Sequence, residues 1–196
     1  MKLMKSLFNQ AGAAVRVLLV FTVLLGVVYP LGVWAVSRIP GLAHNAEGSV
    51  VVQNGQAVGS SLIGIDPVAA DPARDPWFHT RPSAASLPAS GASNKSGFNE
   101  DQVALVTERR AAVAAREGVP AETVPADAVT ASASGLDPQI SVAYAQLQAP
   151  RVARVTGVPE DVVRRLIEEN TTTGIGVPSV TVLELNLAVA GRKLTP

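Results

Sequence analysis

The densest run of reactive side chains in the chain is Thr130-Ala131-Ser132-Ala133-Ser134-Gly135-Leu136-Asp137-Pro138, which sets small hydroxyls beside a flexible glycine and a helix-start signal. Such a segment can receive an anion or another stretch of backbone. It serves equally well as an ordered loop with capped ends. Other reactive groups are scattered. His44 and His79 stand apart, without the spacing that sets two imidazoles on one helix face, and there is no cysteine to complete a metal set. Both read as surface or loop histidines. Gly55 to Gly64 (GQAVGSSLIG) contains no lysine to reach a phosphate, so its glycines read as hairpin corners. There is neither a thiol nucleophile nor a Gly-x-Ser-x-Gly elbow. Asp161 and Glu168 could suggest an acid and base pair, but they fall among arginines on an amphipathic helix, as a solvated face would. No catalytic residue and no metal ligand is expected.

Charge and hydropathy say where these groups sit. The chain has 196 residues, with 16 Lys and Arg against 16 Asp and Glu, and 4% aromatic residues. Lys2, Lys5, Arg16 and Arg38 all precede the first acid, Glu47, so the amino end is basic and the remainder acidic. With no basic stripe and few rings to stack on bases, nucleic acid is not an expected partner. Val17 to Ser37 is free of charge, and as a helix it would reach roughly 30 Å, one hydrocarbon core. Arg16 and Arg38 bracket this span, Tyr29 and Trp34 lie where rings meet lipid head groups, and Pro30 should kink it or shift its end. The competing readings are a cleaved signal, with Ala35-Val36-Ser37 as a weak cleavage site, and a buried core helix. Length favours a retained membrane helix. The basic flank places residues 1–16 in the cytoplasm and residues 38–196 outside it, as a single-pass protein of the cell membrane.

The outer part reads as one small α+β domain with a mostly antiparallel sheet and about three helices. Short strands are expected over Ser49 to Gln53, Gly55 to Val58 and Ser61 to Ile65, and a long loop over 67–98. A helix capped by Asn99 should stop at Gly118, and a second, with start signals at Asp137-Pro138 and at Ser141, should run through Val142, Tyr144 and Leu147 and end before Pro150. Arg151 to Thr156 reads as a short helical turn, and Pro159 opens a third helix that finishes near Asn170. Alternation of Leu183, Leu185 and Leu187 with Glu184, Asn186 and Ala188 predicts a strand over Ser179 to Val189, followed by a tail from Arg192 to Pro196.

A span ending Tyr29-Pro30-Leu31, then GSSLIG at 59–64, RPSAA at 81–85, SGASN at 90–94, VTASASGLDPQIS at 129–141, QAPRVARVTG at 148–157 and VLELNLAV at 182–189 together resemble the KdpC family, the C chain of the Kdp potassium-transporting ATPase. The likeness covers residues 15 to 190. Its motif residues here are Arg81, Pro82, Ser83, Asn94, Thr130, Ser132, Ser134, Gly135, Asp137, Arg151 and Asn186. The sequence departs from the family pattern at Ala92, Ala133, Gln139, Val177, Ser179 and Thr181, which puts in doubt any salt bridge carried over near the carboxyl end.

The resemblance implies a non-catalytic accessory subunit of an ATP-driven potassium importer. Its implied partners are the channel-like subunit KdpA, the P-type ATPase subunit KdpB, the small peptide KdpF and membrane lipid. This chain itself lacks the Asp-Lys-Thr-Gly segment on which a P-type pump is phosphorylated. The family is described as a catalytic chaperone that raises the pump subunit's affinity for ATP, and Gln148 stands where a nucleotide-linked glutamine is expected. Another family view has the domain covering the outer potassium entrance. The charge asymmetry puts Gln148 away from cytoplasmic ATP, so nucleotide contact and structural polar residue both stand as readings of it. A different class of protein, a membrane-anchored periplasmic binding module or enzyme acting alone, is the alternative.

Overall fold

A computed structural model describes residues 2–174 and 176–192. They divide after Ser49 into two compact units. In the first, α1 (Lys2–Val23), a π turn (Leu24–Val28) and α2 (Tyr29–Ser37) follow one another without a break. The helix therefore begins well before the expected Val17. Ser6–Ser37 is long and apolar enough to cross a membrane, and none of its most apolar stretch is buried. Pro30 produces the π turn rather than an end: its ring would crowd the carbonyl four residues back, and widening the turn relieves this, with Tyr29 N–H bonding to the carbonyl of Leu24. A short α3 (Ala43–Ala46) follows. Arg38 lies 5.9 Å over the Trp34 ring and 2.8 Å from the Glu47 carboxylate.

The second unit opens with an antiparallel hairpin, β1 (Val50–Gln53) and β2 (Gln56–Ser60). Asn54 and Gly55 both have positive φ, 51° and 79°, as a two-residue turn between twisted strands requires. The third strand expected over Ser61 to Ile65 is reduced to one bridge between Ser60 and Ile63. Ser60 Oγ accepts the Leu62 N–H and curls the chain, and Gly64 N–H then donates to the Leu136 carbonyl at 2.8 Å. Gly64 is not a hairpin corner. A Cβ there would fall 2.2 Å from the Asp137 carbonyl oxygen, so only glycine lets the two segments meet.

Apart from a 3-10 turn at Pro72–Arg74, residues 67–98 hold no regular element, as the sequence predicts. The next helix also matches its prediction: α4 (Glu100–Glu117) starts where Asn99 accepts the Gln102 N–H and stops at Gly118 with φ 70°. After two further 3-10 turns comes β3 (Gln139–Ser141), and Ser141 Oγ caps α5 (Val142–Thr156) through the Tyr144 N–H. Here the expectation fails, since α5 passes through Pro150 and absorbs the predicted turn at Arg151 to Thr156. Proline costs one hydrogen bond, but Gln148, Ala149, Arg151, Val152 and Ala153 around it are all buried, and that burial keeps the helix going. α6 (Glu160–Glu169) lies as expected, and Asp161 and Glu168 are exposed on it.

β4 (Thr171–Thr172) and β5 (Ser179–Thr181) complete a three-stranded antiparallel sheet of order β3-β5-β4. The strand predicted to reach Val189 stops at Thr181 and becomes α7 (Val182–Ala190). Val182, Leu185, Asn186 and Val189 are the buried positions, a helical spacing that the alternating leucines masked. The fold is thus mixed α+β with antiparallel sheets, as expected, and among the described residues four α-helices follow the hairpin where about three were expected. Ile140 and Val180 pair at the sheet centre, with Tyr144, Val152, Ile167, Leu185 and Phe78 filling the core. Of the predicted tail, residues 193–196 lie outside the described residues.

Gly64→Ala should lower stability by about 1–3 kcal/mol through this clash, read as a shift in the urea midpoint of the detergent-solubilised chain. Gly97→Ala, where an added Cβ meets nothing within 4 Å, should leave the midpoint nearly unchanged.

Candidate functional site

Residues 75–79 run into the core without a neighbouring strand, so their buried backbone groups need other partners. Side chains supply them. Asn186 Oδ1 accepts the Phe78 N–H at 2.8 Å while its Nδ2 donates to the Phe78 carbonyl at 2.9 Å. Gln148 does the same for the next residue, accepting the His79 N–H at 2.8 Å and donating to its carbonyl at 3.3 Å. Arg151 donates to the carbonyls of Asp75 (2.7 Å) and Trp77 (3.0 Å), and also to Gln148 Oε1. The three residues project from α5 and α7 and do the work of a missing β-strand.

Arg151 is only 3% exposed, and its charge is met by Glu117, whose carboxylate oxygens lie 2.9 and 3.2 Å from Arg151 Nε. Glu117 also receives Arg116 Nε at 2.7 Å, and Arg116 donates to the Tyr144 hydroxyl at 2.9 Å. Burial would pull the Arg116 guanidinium down, but Tyr144 and Glu117 outweigh it and hold it above its ordinary value. Burial pushes the Tyr144 phenol up, against the pull of Arg116. His79, expected near the surface, is buried between two carboxylates: Nε2 is 2.6 Å from Asp75 Oδ2, and Nδ1 is 3.1 Å from Asp66 Oδ1. His44 is exposed, as expected. Among the described residues no cluster suited to a metal ion forms.

The clamped segment leads into a cavity of about 270 Å³ whose wall includes Arg81, Arg109, Arg116, Ser83, Ser132 and Asp137. The hydroxyl-rich segment forms one side and mostly receives backbone. Ser132 Oγ accepts the N–H groups of Gly135 and Asp137, and Ser132 N–H donates to the Pro82 carbonyl. The Ser134 carbonyl accepts from Gly91 N–H and Ser90 Oγ, both at 2.8 Å. Gly135 has φ 72°, and a Cβ there would sit 2.7 Å from the Gly91 carbonyl oxygen. Arg81 Nη1 lies 3.1 Å from Asp137 Oδ2.

The sequence-predicted residues therefore separate into three places. Gln148, Arg151 and Asn186 form the clamp; Arg81, Pro82, Ser83, Ser132, Gly135 and Asp137 line the cavity. Ser134 is exposed beside the cavity loop, Asn94 is exposed and bonds the Ala92 carbonyl, and Thr130 bonds the Ala126 carbonyl beside a separate depression. Two departures from the family pattern, Gln139 and Ser179, meet each other across β3 and β5 at 3.1 Å. Glu117, Arg116, Arg109, Tyr144, Asp75 and Asp66 went unnoticed in the sequence. One signal existed: Glu117 opposes the helix dipole in the last turn of α4, so it needs a compensating cation.

Removing one member of the buried pair, as in Glu117→Gln or Arg151→Met, should cost about 3–5 kcal/mol because the other charge is left buried, measurable by urea unfolding. A second effect depends on pH. Burial raises the Asp66 carboxyl, but its hydrogen bond and attraction to His79, the Thr80 N–H and Arg116 together hold it below the ordinary range. Its contribution is thus complete above the ordinary aspartate value of about 3.9 and is lost as pH falls through the lower folded value. Asp66→Asn should be less stable than the parent at pH 7, and the difference between their thermal midpoints should vanish towards pH 2.

Against this geometry stand the relatives. A family model described as K+-transporting ATPase, c chain, matches residues 11–191. The potassium-transporting ATPase KdpC subunit of Kineococcus radiotolerans is 45% identical over 192 residues, covering 94% of this chain and 94% of the relative. The subunits of that name from Mycobacterium bovis and Streptomyces coelicolor are 44% and 42% identical, covering 92% and 90% of this chain and 97% and 90% of their own lengths. With a single apolar helix ahead of a mixed domain, and with matches along nearly its whole length, the chain belongs to the KdpC family of K+-transporting ATPase subunits.

Proposed function

We propose that the chain joins its potassium-import complex through the helix within Ser6–Ser37 and that residues 38–196 stand outside the cytoplasm over the ion entrance. A KdpC subunit is an accessory subunit of the Kdp potassium import complex. The observation carrying the rest is a long apolar helix with no buried side chain, whose surface needs lipid and neighbouring helices around it. Its partners on this reading are KdpA, KdpB and KdpF, with KdpA beneath the outer domain. Lys2, Lys5 and Arg16 before the span, against Arg38 alone close after it, support the orientation.

Any gain in the pump's ATP affinity would then be indirect. Gln148 is 0% exposed, and both ends of its amide are engaged by His79 backbone, which supports a scaffolding role in place of a nucleotide contact. Coupling would pass through a change in how the membrane helix packs in two states of the complex.

Gly26→Arg puts a charge mid-span, at about 2.5–3.5 kcal/mol on insertion scales, and should remove the chain from the purified complex; normal assembly and transport would overturn this reading. For orientation, Ser90→Cys supplies the sole thiol of a cysteine-free chain. A membrane-impermeant maleimide should label it in intact spheroplasts, and labelling only after lysis would put the domain inside. With Gln148→Ala, the assembled complex should keep its ATP dependence while the chain loses stability; a raised ATP requirement at unchanged stability would restore nucleotide contact.

A further inference from the structure

The cavity beside the hydroxyl-rich segment has a chemistry that the accessory role does not use. Three guanidinium-bearing residues, Arg81 after the clamped segment and Arg109 and Arg116 on α4, line one space of about 270 Å³. Its two wall carboxylates are already engaged. Asp137 holds Arg81 and accepts the Gln139 N–H, and Asp66 holds His79 and the Thr80 N–H. Arg109 is different. Among the described residues its guanidinium makes a single 3.3 Å hydrogen bond, to the Val129 carbonyl, and no ion pair. Arg81 is also incompletely met, since its Nε is buried without an acceptor.

We propose that this cavity binds a phosphate-type oxyanion, with Arg109 as the principal counter-charge. Arg109 and Arg116 stand seven positions apart, two turns along one face of α4, so both can address one small ligand. A planar guanidinium presents paired N–H donors that match the edge of a phosphate oxyanion. The Tyr144 hydroxyl on the same wall accepts from Arg116 and keeps its own O–H as a donor that suits a tetrahedral anion, whereas the Ser83 O–H is already given to backbone carbonyls. The volume lies just below the range of about 300–1,000 Å³ usual for drug-sized ligands, which fits phosphate, or phosphate with a small substituent, and not a bulky molecule. Free phosphate and the head group of an anionic phospholipid share this chemistry.

The test uses the full chain in a non-ionic detergent and phosphate-free buffer, titrated calorimetrically with inorganic phosphate and, separately, with a short-chain phosphatidylglycerol below its micelle concentration. At least one probe should bind, and Arg109→Gln should weaken that binding by about tenfold or more while leaving the ligand-free thermal midpoint nearly unchanged, because only one long hydrogen bond is lost. Arg110→Gln, which faces a different depression, should bind like the parent. Binding of phosphate alone would identify the free ion as ligand, and binding of the lipid alone the head group. No binding of either probe, or equal binding by parent and Arg109→Gln, would overturn the proposal.

Discussion

The buried ion pair between Arg151 and Glu117 is the constraint on which the domain turns. Withdrawing two charges from water costs several kcal/mol each unless every donor and acceptor is met, and Arg151 meets this condition by spending its N–H groups on Glu117, on two backbone carbonyls and on Gln148. The pair ties the end of α4 to the middle of α5. It also reaches the loop residues 75–79, where Arg151 meets the carbonyls of Asp75 and Trp77 beside the Gln148 and Asn186 contacts to His79 and Phe78. Arg116 and Tyr144 extend the same network to the cavity wall, so the clamp and the cavity form one connected polar structure inside the domain.

Local signals carried much of this architecture. Asn99 and Gly118 delimit α4 by capping chemistry, Asn54-Gly55 makes the turn of the first hairpin, and Pro159 starts α6. The misreadings share a cause. Pro150 normally ends a helix and alternating leucines normally mark a strand, yet at both places burial of a helical face decides the outcome. Such burial depends on what packs against the segment, which neighbouring residues do not encode.

The candidate residues divide along the same line. Gln148, Arg151 and Asn186 were legible because they resemble a family pattern, but their task of holding a buried irregular segment could not be inferred from type or spacing. His79 looked like a loop residue because it is one; its burial comes from Asp66 and Asp75 folding over it. The hydroxyl-rich segment offered two readings: its serine hydroxyls accept N–H groups of the segment itself, while the Ser132 N–H and the Ser134 carbonyl join it to the backbone of Pro82 and Gly91. Arg109 was invisible as a functional candidate because a lone arginine on a helix ordinarily faces water.

The side-chain clamp also dictates an order of synthesis. Phe78 and His79 wait for partners 108 and 69 positions further along the chain. At translation rates of roughly 5–20 residues per second, Phe78 stays without Asn186 for on the order of 5–20 seconds after it is made. Throughout that interval the segment's backbone groups must remain hydrated, so it cannot enter the core early. The domain therefore closes only when its last helix has emerged, which makes α7 the bolt of the structure and leaves any chain truncated before Asn186 with an open core.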